Sequence, residues 1–227
     1  MPINFARIKL EPVFTQRCFY LFLALMALLT AIPFLTESLH GRIAGNIVNI
    51  FVLLAATASV SRSNLAFFIS LILGLLTVGF QAAAFARDEH DYLAISWVFA
   101  ACFYTLAISY LLRYVLRPTV MDLDKLYGGA AVYLMLVVLW GYLYAICQHF
   151  FPGSFAFGGN ARDALPMADL LYYSFTVLTS TGFGDIVPVL APARSLTMLQ
   201  QAVGVLYVAI LISRLAGVYA MHHDRHS

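Results

Sequence analysis

Long apolar runs along this chain are separated by short polar breaks. The runs fall at about 18–36, 45–61, 66–86, 93–115, 127–149 and 195–220. Each is close to the roughly 20 residues that an α-helix needs to cross about 30 Å of hydrocarbon. The first five carry no acid or base in their middles, and the sixth carries only Arg214, near its end. Six spanning helices are expected from this pattern.

The segment between the fifth and sixth runs, roughly 150–194, is built differently. It opens on turn-forming residues (Pro152, Gly153, Gly158, Gly159, Asn160) and continues into an apolar stretch, Pro166 to Thr179, that is too short to span. A Gly-x-Gly and an aspartate follow at once. A short helix that enters the membrane and returns as extended backbone gives this pattern. Non-helical backbone survives at membrane depth only where protein buries it or where it lines water. The segment thus points to a pore or a substrate path.

Composition agrees with the pattern. Of the 227 residues, 62% are hydrophobic and 11% charged, against roughly 25% charged in a soluble domain. The bilayer is the main solvent of this chain. A net charge of +2 gives no reason to expect nucleic acid as a partner. Cys18, Cys102 and Cys147 lie scattered in or beside apolar runs, as small packing residues rather than a disulfide framework or metal cluster. The histidines lie outside the spans or at their ends, and no group of His, Asp and Ser or Cys at membrane depth composes a catalytic site. An enzyme is not expected.

Lysine and arginine bias sets the orientation. With the amino terminus in the cytoplasm, Arg7, Lys9, Arg17, Arg62, Arg113, Arg117, Lys125, Arg214 and Arg225 lie inside, and Arg42, Arg87, Arg162 and Arg194 lie outside. Nine against four places both termini in the cytoplasm and the re-entrant segment on the outer side. A bacterial inner membrane is the expected location.

The stretch Tyr172-Tyr173-Ser174-Phe175-Thr176-Val177-Leu178-Thr179-Ser180-Thr181-Gly182-Phe183-Gly184-Asp185 carries the chemistry. A dehydrated cation needs oxygens to replace its hydration shell, and backbone carbonyls supply them when four copies of such a loop surround one axis. Glycines allow the φ/ψ values that aim successive carbonyls at one line. The Ser180 hydroxyl stands at the inner end as a further oxygen. Asp163 is expected to cap the short helix, with Pro166 in its first turn and Asp169 complementing its dipole. Its carboxyl end, near Thr179, directs about half a negative charge toward a waiting cation.

Residues 127–220 resemble the pore module of tetrameric potassium channels. Tyr172-Tyr173 stands where those channels usually have Trp-Trp, and Ser180-Thr181-Gly182-Phe183-Gly184-Asp185 where they have Thr-Val-Gly-Tyr-Gly-Asp. The run Gly204-Val205-Leu206-Tyr207-Val208-Ala209-Ile210-Leu211-Ile212 is similar to the inner helix of prokaryotic members. Tyr133-Leu134-Met135-Leu136, Leu139-Trp140 and Pro152-Gly153-Ser154-Phe155 are similar to these proteins as well. The resemblance implies an all-α membrane protein: six spanning helices, a re-entrant pore helix and a filter loop per chain, in a homotetramer surrounded by lipid. It implies K⁺ passing through the carbonyls of Ser180, Thr181, Gly182, Phe183 and Gly184 and past the Ser180 hydroxyl. Asp185 then lines the outer mouth, and Tyr172, Tyr173, Thr176 and Thr179 support the filter from the pore helix. No cofactor is implied beyond the permeant K⁺.

The expected division is a cytoplasmic segment 1–17, a four-helix domain 18–116, an interfacial linker 117–126, a pore domain 127–220 and a tail 221–227. Within the pore domain the outer helix covers 127–149, the pore helix 163–179, the filter 180–185 and the inner helix 195–220. Gly204 is a candidate gating hinge, with close helix packing as the other reading. Of Gln200 and Gln201, one is expected to hydrogen-bond behind the filter or to line the cavity. His222, His223 and His226 are read as a solvated tail, with titration or metal binding as the alternatives. Ser180 and Thr181 motivate a second function, a weakly selective monovalent cation channel. A transporter subunit or receptor with a re-entrant helix is a third, although transporters usually pair interrupted helices in two halves.

Voltage sensors place a basic residue at every third position of a spanning helix. The fourth helix has only Arg113 and Arg117, both at one end. The conductance is therefore expected to change little with voltage in a planar bilayer, and a steep conductance–voltage curve would contradict this.

Overall fold

The computed structural model describes residues 17–35, 39–60, 64–87, 90–117, 122–162 and 164–223. Within them the chain forms, in order, α1 (Arg17–Leu35), α2 (Leu39–Val60), α3 (Asn64–Arg87), α4 (His90–Val115), α5 (Leu123–Phe150), β1 (Phe155–Phe157), β2 (Asn160–Arg162), α6 (Met167–Leu178), β3 (Ile186–Pro188) and α7 (Ala191–His223). Arg7, Lys9, Arg62, the acids Asp88 and Glu89, the cap expected at Asp163, Arg225 and His226 lie outside the described residues. So do the side chains of His222 and His223.

Four of the described helices are long and apolar enough to cross a membrane: Leu65–Arg87, Asp91–Val115, Leu123–Phe150 and Ala191–Arg214. Among the described residues, α1 and α2 contribute shorter apolar stretches, Arg17–Ile32 and Gly45–Ser59. The architecture is that of a helical membrane protein. It departs from an all-α expectation in one place, a small sheet ordered β2-β1-β3. Three-residue strands are too short to leave an alternating pattern in the sequence. What the sequence does show is their turn: Gly158 and Gly159, with φ of 57° and 85°, join β1 to β2. Two successive left-handed residues make a type I′ hairpin, which matches the strand twist.

Three helices start elsewhere than their apolar patterns suggest. α5 begins at Leu123 because Asp122, in extended conformation, accepts the Lys125 amide hydrogen (2.9 Å). Its first turn holds Asp124 and Lys125, charges that read as linker. Lys125 is nevertheless buried, its ammonium 5.9 Å from the Tyr114 ring. α7 begins at Ala191, with Pro192 in its first turn, where the missing N–H costs nothing. α6 begins at Met167 because Pro166 sits one position outside it, at the cap, with φ −64° and ψ 156°.

α5 is the organising helix. It packs against α1 and α4 on one side and α6 and α7 on the other. α7 meets α5 and α6 along a narrow stripe, Ala193, Thr197, Gln200, Gly204, Tyr207 and Leu211. The steps of four and three residues are those of a coiled-coil seam. Outside that stripe α7 exposes Met198, Leu199, Val205, Leu206, Ile210 and Ile212.

The four-helix part is tied to the start of α5 by one carboxylate. Asp124 Oδ1 accepts the Cys18 amide hydrogen (3.0 Å), and Oδ2 accepts the Tyr114 hydroxyl (2.9 Å). The first N–H groups of a helix have no partner within it, so Asp124 of α5 caps α1 from across the bundle. Asp124→Ala should cost about 1–3 kcal/mol, read as a lower melting temperature of the purified protein in detergent. An unchanged melting curve would contradict this role.

Candidate functional site: the re-entrant segment

The site is the turn between α6 and β3. α6 is twelve residues long, about 18 Å at 1.5 Å per residue, less than a bilayer core. The chain reverses after it through one carbonyl. Thr176 O accepts both the Thr181 and Gly182 amide hydrogens, at 2.9 and 3.2 Å. Ser180 N–H donates to Val177 O (3.0 Å), and the hydroxyls of Thr179 and Thr181 lie 2.9 Å apart. Thr176 and Thr179, both expected as pore-helix support, lie at this junction. Thr181 gains a partner there that the sequence did not reveal.

From Ser180 to Gly184 the sign of φ alternates. It is positive at Ser180 (57°), Gly182 (54°) and Gly184 (80°), and at neither Thr181 nor Phe183. Alternation between right- and left-handed conformations turns successive peptide groups the same way, where an ordinary strand would point them to opposite sides. Glycine takes positive φ without strain. Ser180 does not, and a non-glycine residue held there marks a segment constrained by its surroundings. Among the described residues no hydrogen bond reaches the carbonyl oxygens of Ser180, Thr181, Gly182, Phe183 or Gly184. All five residues are exposed in the single chain.

The far end of the turn is held by the sheet. β3 follows Asp185 directly and pairs antiparallel with β1, Ala156 opposite Val187. Gly158 N–H donates to Asp185 O (2.8 Å), and Val189 N–H to Ser154 O (2.8 Å). The Asp185 carboxylate accepts its neighbour's Ile186 amide hydrogen (3.0 Å). Burial raises the Asp169 carboxyl above its ordinary range at the start of α6. Arg162 opposes that shift, and Asp185 adds to it.

A hydrogen-bonded framework fixes α6 from behind. Ser174 Oγ donates to Val137 O of α5 (2.7 Å). Gln200 of α7, fully buried, donates to both Ser174 O (2.9 Å) and Ser174 Oγ (2.8 Å), and accepts the Tyr144 hydroxyl (2.5 Å). Tyr173 shares a hydrogen bond with Thr197 (2.8 Å). The rings of Tyr144, Phe155 and Tyr173 form a triangle with centroids 5.1–5.5 Å apart. Gln148 clasps Leu165 through both its N–H (2.9 Å) and its carbonyl (2.8 Å), just ahead of α6. On the other face Tyr172 stacks on Phe183, 6.3 Å between centroids and 2° from parallel.

Of the glutamine pair, Gln200 is thus the one behind the turn, and Gln201 is exposed. Gln148 and Tyr144 of this framework carry no signal in the sequence. Each sits inside an apolar helix, and only the fold shows what it faces. Gly204 has a packing reason. A β-carbon there would stand 2.5 Å from Leu178 O, so the glycine lets α7 pass against the end of α6. This close approach supports the packing reading of the glycine.

Residues 132–220, most of α5 through α7, match the sequence model of a family described as ion channel. No curated protein and no solved structure matches the chain. The match supports an ion channel function and points away from an enzyme.

Gly204→Ala should destabilise the protein by about 1–3 kcal/mol, the usual cost of overpacking. Thermal unfolding in detergent measures it, and wild-type stability would show that α7 can move aside freely.

Proposed function

We propose that this protein is a potassium-selective channel in which four copies of the chain surround one pore. The observation that carries this reading is the row of five unpartnered carbonyls, Ser180 to Gly184, on backbone of alternating φ. In hydrocarbon each such oxygen would cost several kcal/mol. Facing a common axis with three other copies, they replace the hydration shell of a cation, which then moves by displacement between successive sites. The Ser180 hydroxyl supplies the innermost oxygen, and four Asp185 residues make the outer mouth negative.

The exposed surface supports four-fold assembly. Phe183 is 69% exposed in the single chain, and Phe175 of α6 and most of α7's circumference are uncovered. Gln201 stands on the open side of α7 at membrane depth, where a polar side chain calls for water or another protein chain rather than lipid. In this reading neighbouring copies cover the aromatic face and Gln201 borders the cavity. α1 and α2 complete six spans per chain, and both termini lie in the cytoplasm, most simply of a bacterial inner membrane. The Thr179–Thr181 hydroxyl pair favours one variant, a less selective cation channel, because it places polar contacts where an apolar wall would stiffen the filter.

The reversal potential of the reconstituted protein, with K⁺ on one side and Na⁺ on the other, separates these readings. The expected value lies close to the K⁺ equilibrium potential, with no current from Gly182→Ala. Current reversing near zero would identify the weakly selective channel. Undiminished current through Gly182→Ala would remove the pore from this segment.

A further inference from the structure

The four-helix part contains a polar cluster that the pore does not use. Asn49 of α2 donates through Nδ2 to the Tyr142 hydroxyl of α5, at 3.4 Å. Tyr104 of α4 lies against Tyr142, with ring centroids 5.9 Å apart and planes tilted by 30°. Asn49 and Tyr142 are 7% and 6% exposed, and Tyr104 is fully buried. Three helices, α2, α4 and α5, thus bring uncharged polar groups together inside an otherwise apolar bundle.

Two atoms of this cluster lack partners: Asn49 Oδ1 and the Tyr104 hydroxyl, both buried. Turning the Asn49 amide over does not help. Oδ1 would then accept the Tyr142 proton, and the Tyr104 hydroxyl would still lack a partner. Buried polar groups in folded proteins are nearly always hydrogen-bonded. Two unpaired ones beside the same tyrosine therefore call for one shared polar partner.

We propose that Asn49, Tyr104 and Tyr142 hold one internal water molecule. A water accepts the hydroxyl protons of both Tyr104 and Tyr142 and donates one hydrogen to Asn49 Oδ1. That makes three partners, the usual number for a buried water. The cluster carries no charge, so an ion bound there would lack a counter-charge. The water joins α2 and α4 to α5, the helix that also carries Tyr144 and Val137 behind the re-entrant segment. It gives the four-helix part a specific grip on the outer helix at mid-membrane, in addition to the Asp124 clamp at its end.

Hydroxyl-radical footprinting by X-ray radiolysis tests this on the full-length protein in lipid nanodiscs. Radicals form from water where it sits, so a buried tyrosine is oxidised only if water is bound beside it. Mass spectrometry should find Tyr104 and Tyr142 oxidised in the wild type, while Phe103, fully buried beside Tyr104, is not. Tyr104→Phe, which removes only the oxygen, should lower oxidation of Tyr142 several-fold, and Asn49→Leu should do the same. Unmodified Tyr104 and Tyr142 in the wild type would mean a dry cluster and overturn the proposal. So would oxidation of Tyr142 at the wild-type rate in Tyr104→Phe, since the radicals would then come from bulk water.

Discussion

A peptide carbonyl in hydrocarbon must find a hydrogen bond, and a helix meets that demand within itself. The described helices obey this rule, and the five residues from Ser180 to Gly184 leave their carbonyls without a hydrogen bond. The rest of the fold can be understood as what that exception requires. The turn is gathered at one end by Thr176 O, which takes two amide hydrogens, and at the other by the short sheet behind Asp185. With both ends fixed, Ser180 is held at a φ that it would not otherwise adopt.

Support for the turn runs through α6 into two long helices. Ser174 is the central point, bonded to Val137 of α5 and to Gln200 of α7. Gln200 in turn takes the Tyr144 hydroxyl, so every polar atom of this small network has a partner. Such a network rigidifies when complete and is costly when broken. The close passage of Gly204 beside Leu178 adds steric contact to the same junction. Any movement of α7 would therefore be felt at the base of the turn. In the proposed channel this places the inner helix and the filter in direct mechanical contact.

Much of this was legible in the sequence for a simple reason. Apolar runs of spanning length, a run too short to span and a Gly-x-Gly at its end are local patterns, and the bilayer enforces them. Helix starts were less legible, because Asp124 and Lys125 look like a loop until Asp122 is seen capping and Tyr114 is seen covering the ammonium. The three-residue strands were invisible, since pairing between Ala156 and Val187 is set by the folded chain and not by either segment alone. Gln200 could be narrowed to two roles, and only its burial behind Ser174 decides between them. Asn49 and Tyr104 gave no signal at all. Each is one of several polar positions in its helix, and their meeting depends on how α2, α4 and α5 pack.

The central claim is that the carbonyls of this turn are the ligands of a permeating ion. Carbonyl-¹³C glycine labelling with solid-state NMR in lipid bilayers observes those oxygens' own carbon atoms. Replacing K⁺ by Na⁺ should shift the Gly182 and Gly184 carbonyl resonances while leaving those of Gly128, Gly141 and Gly204 in the helices in place. Gly182 and Gly184 resonances indifferent to the cation would contradict the account, whatever current the protein carries.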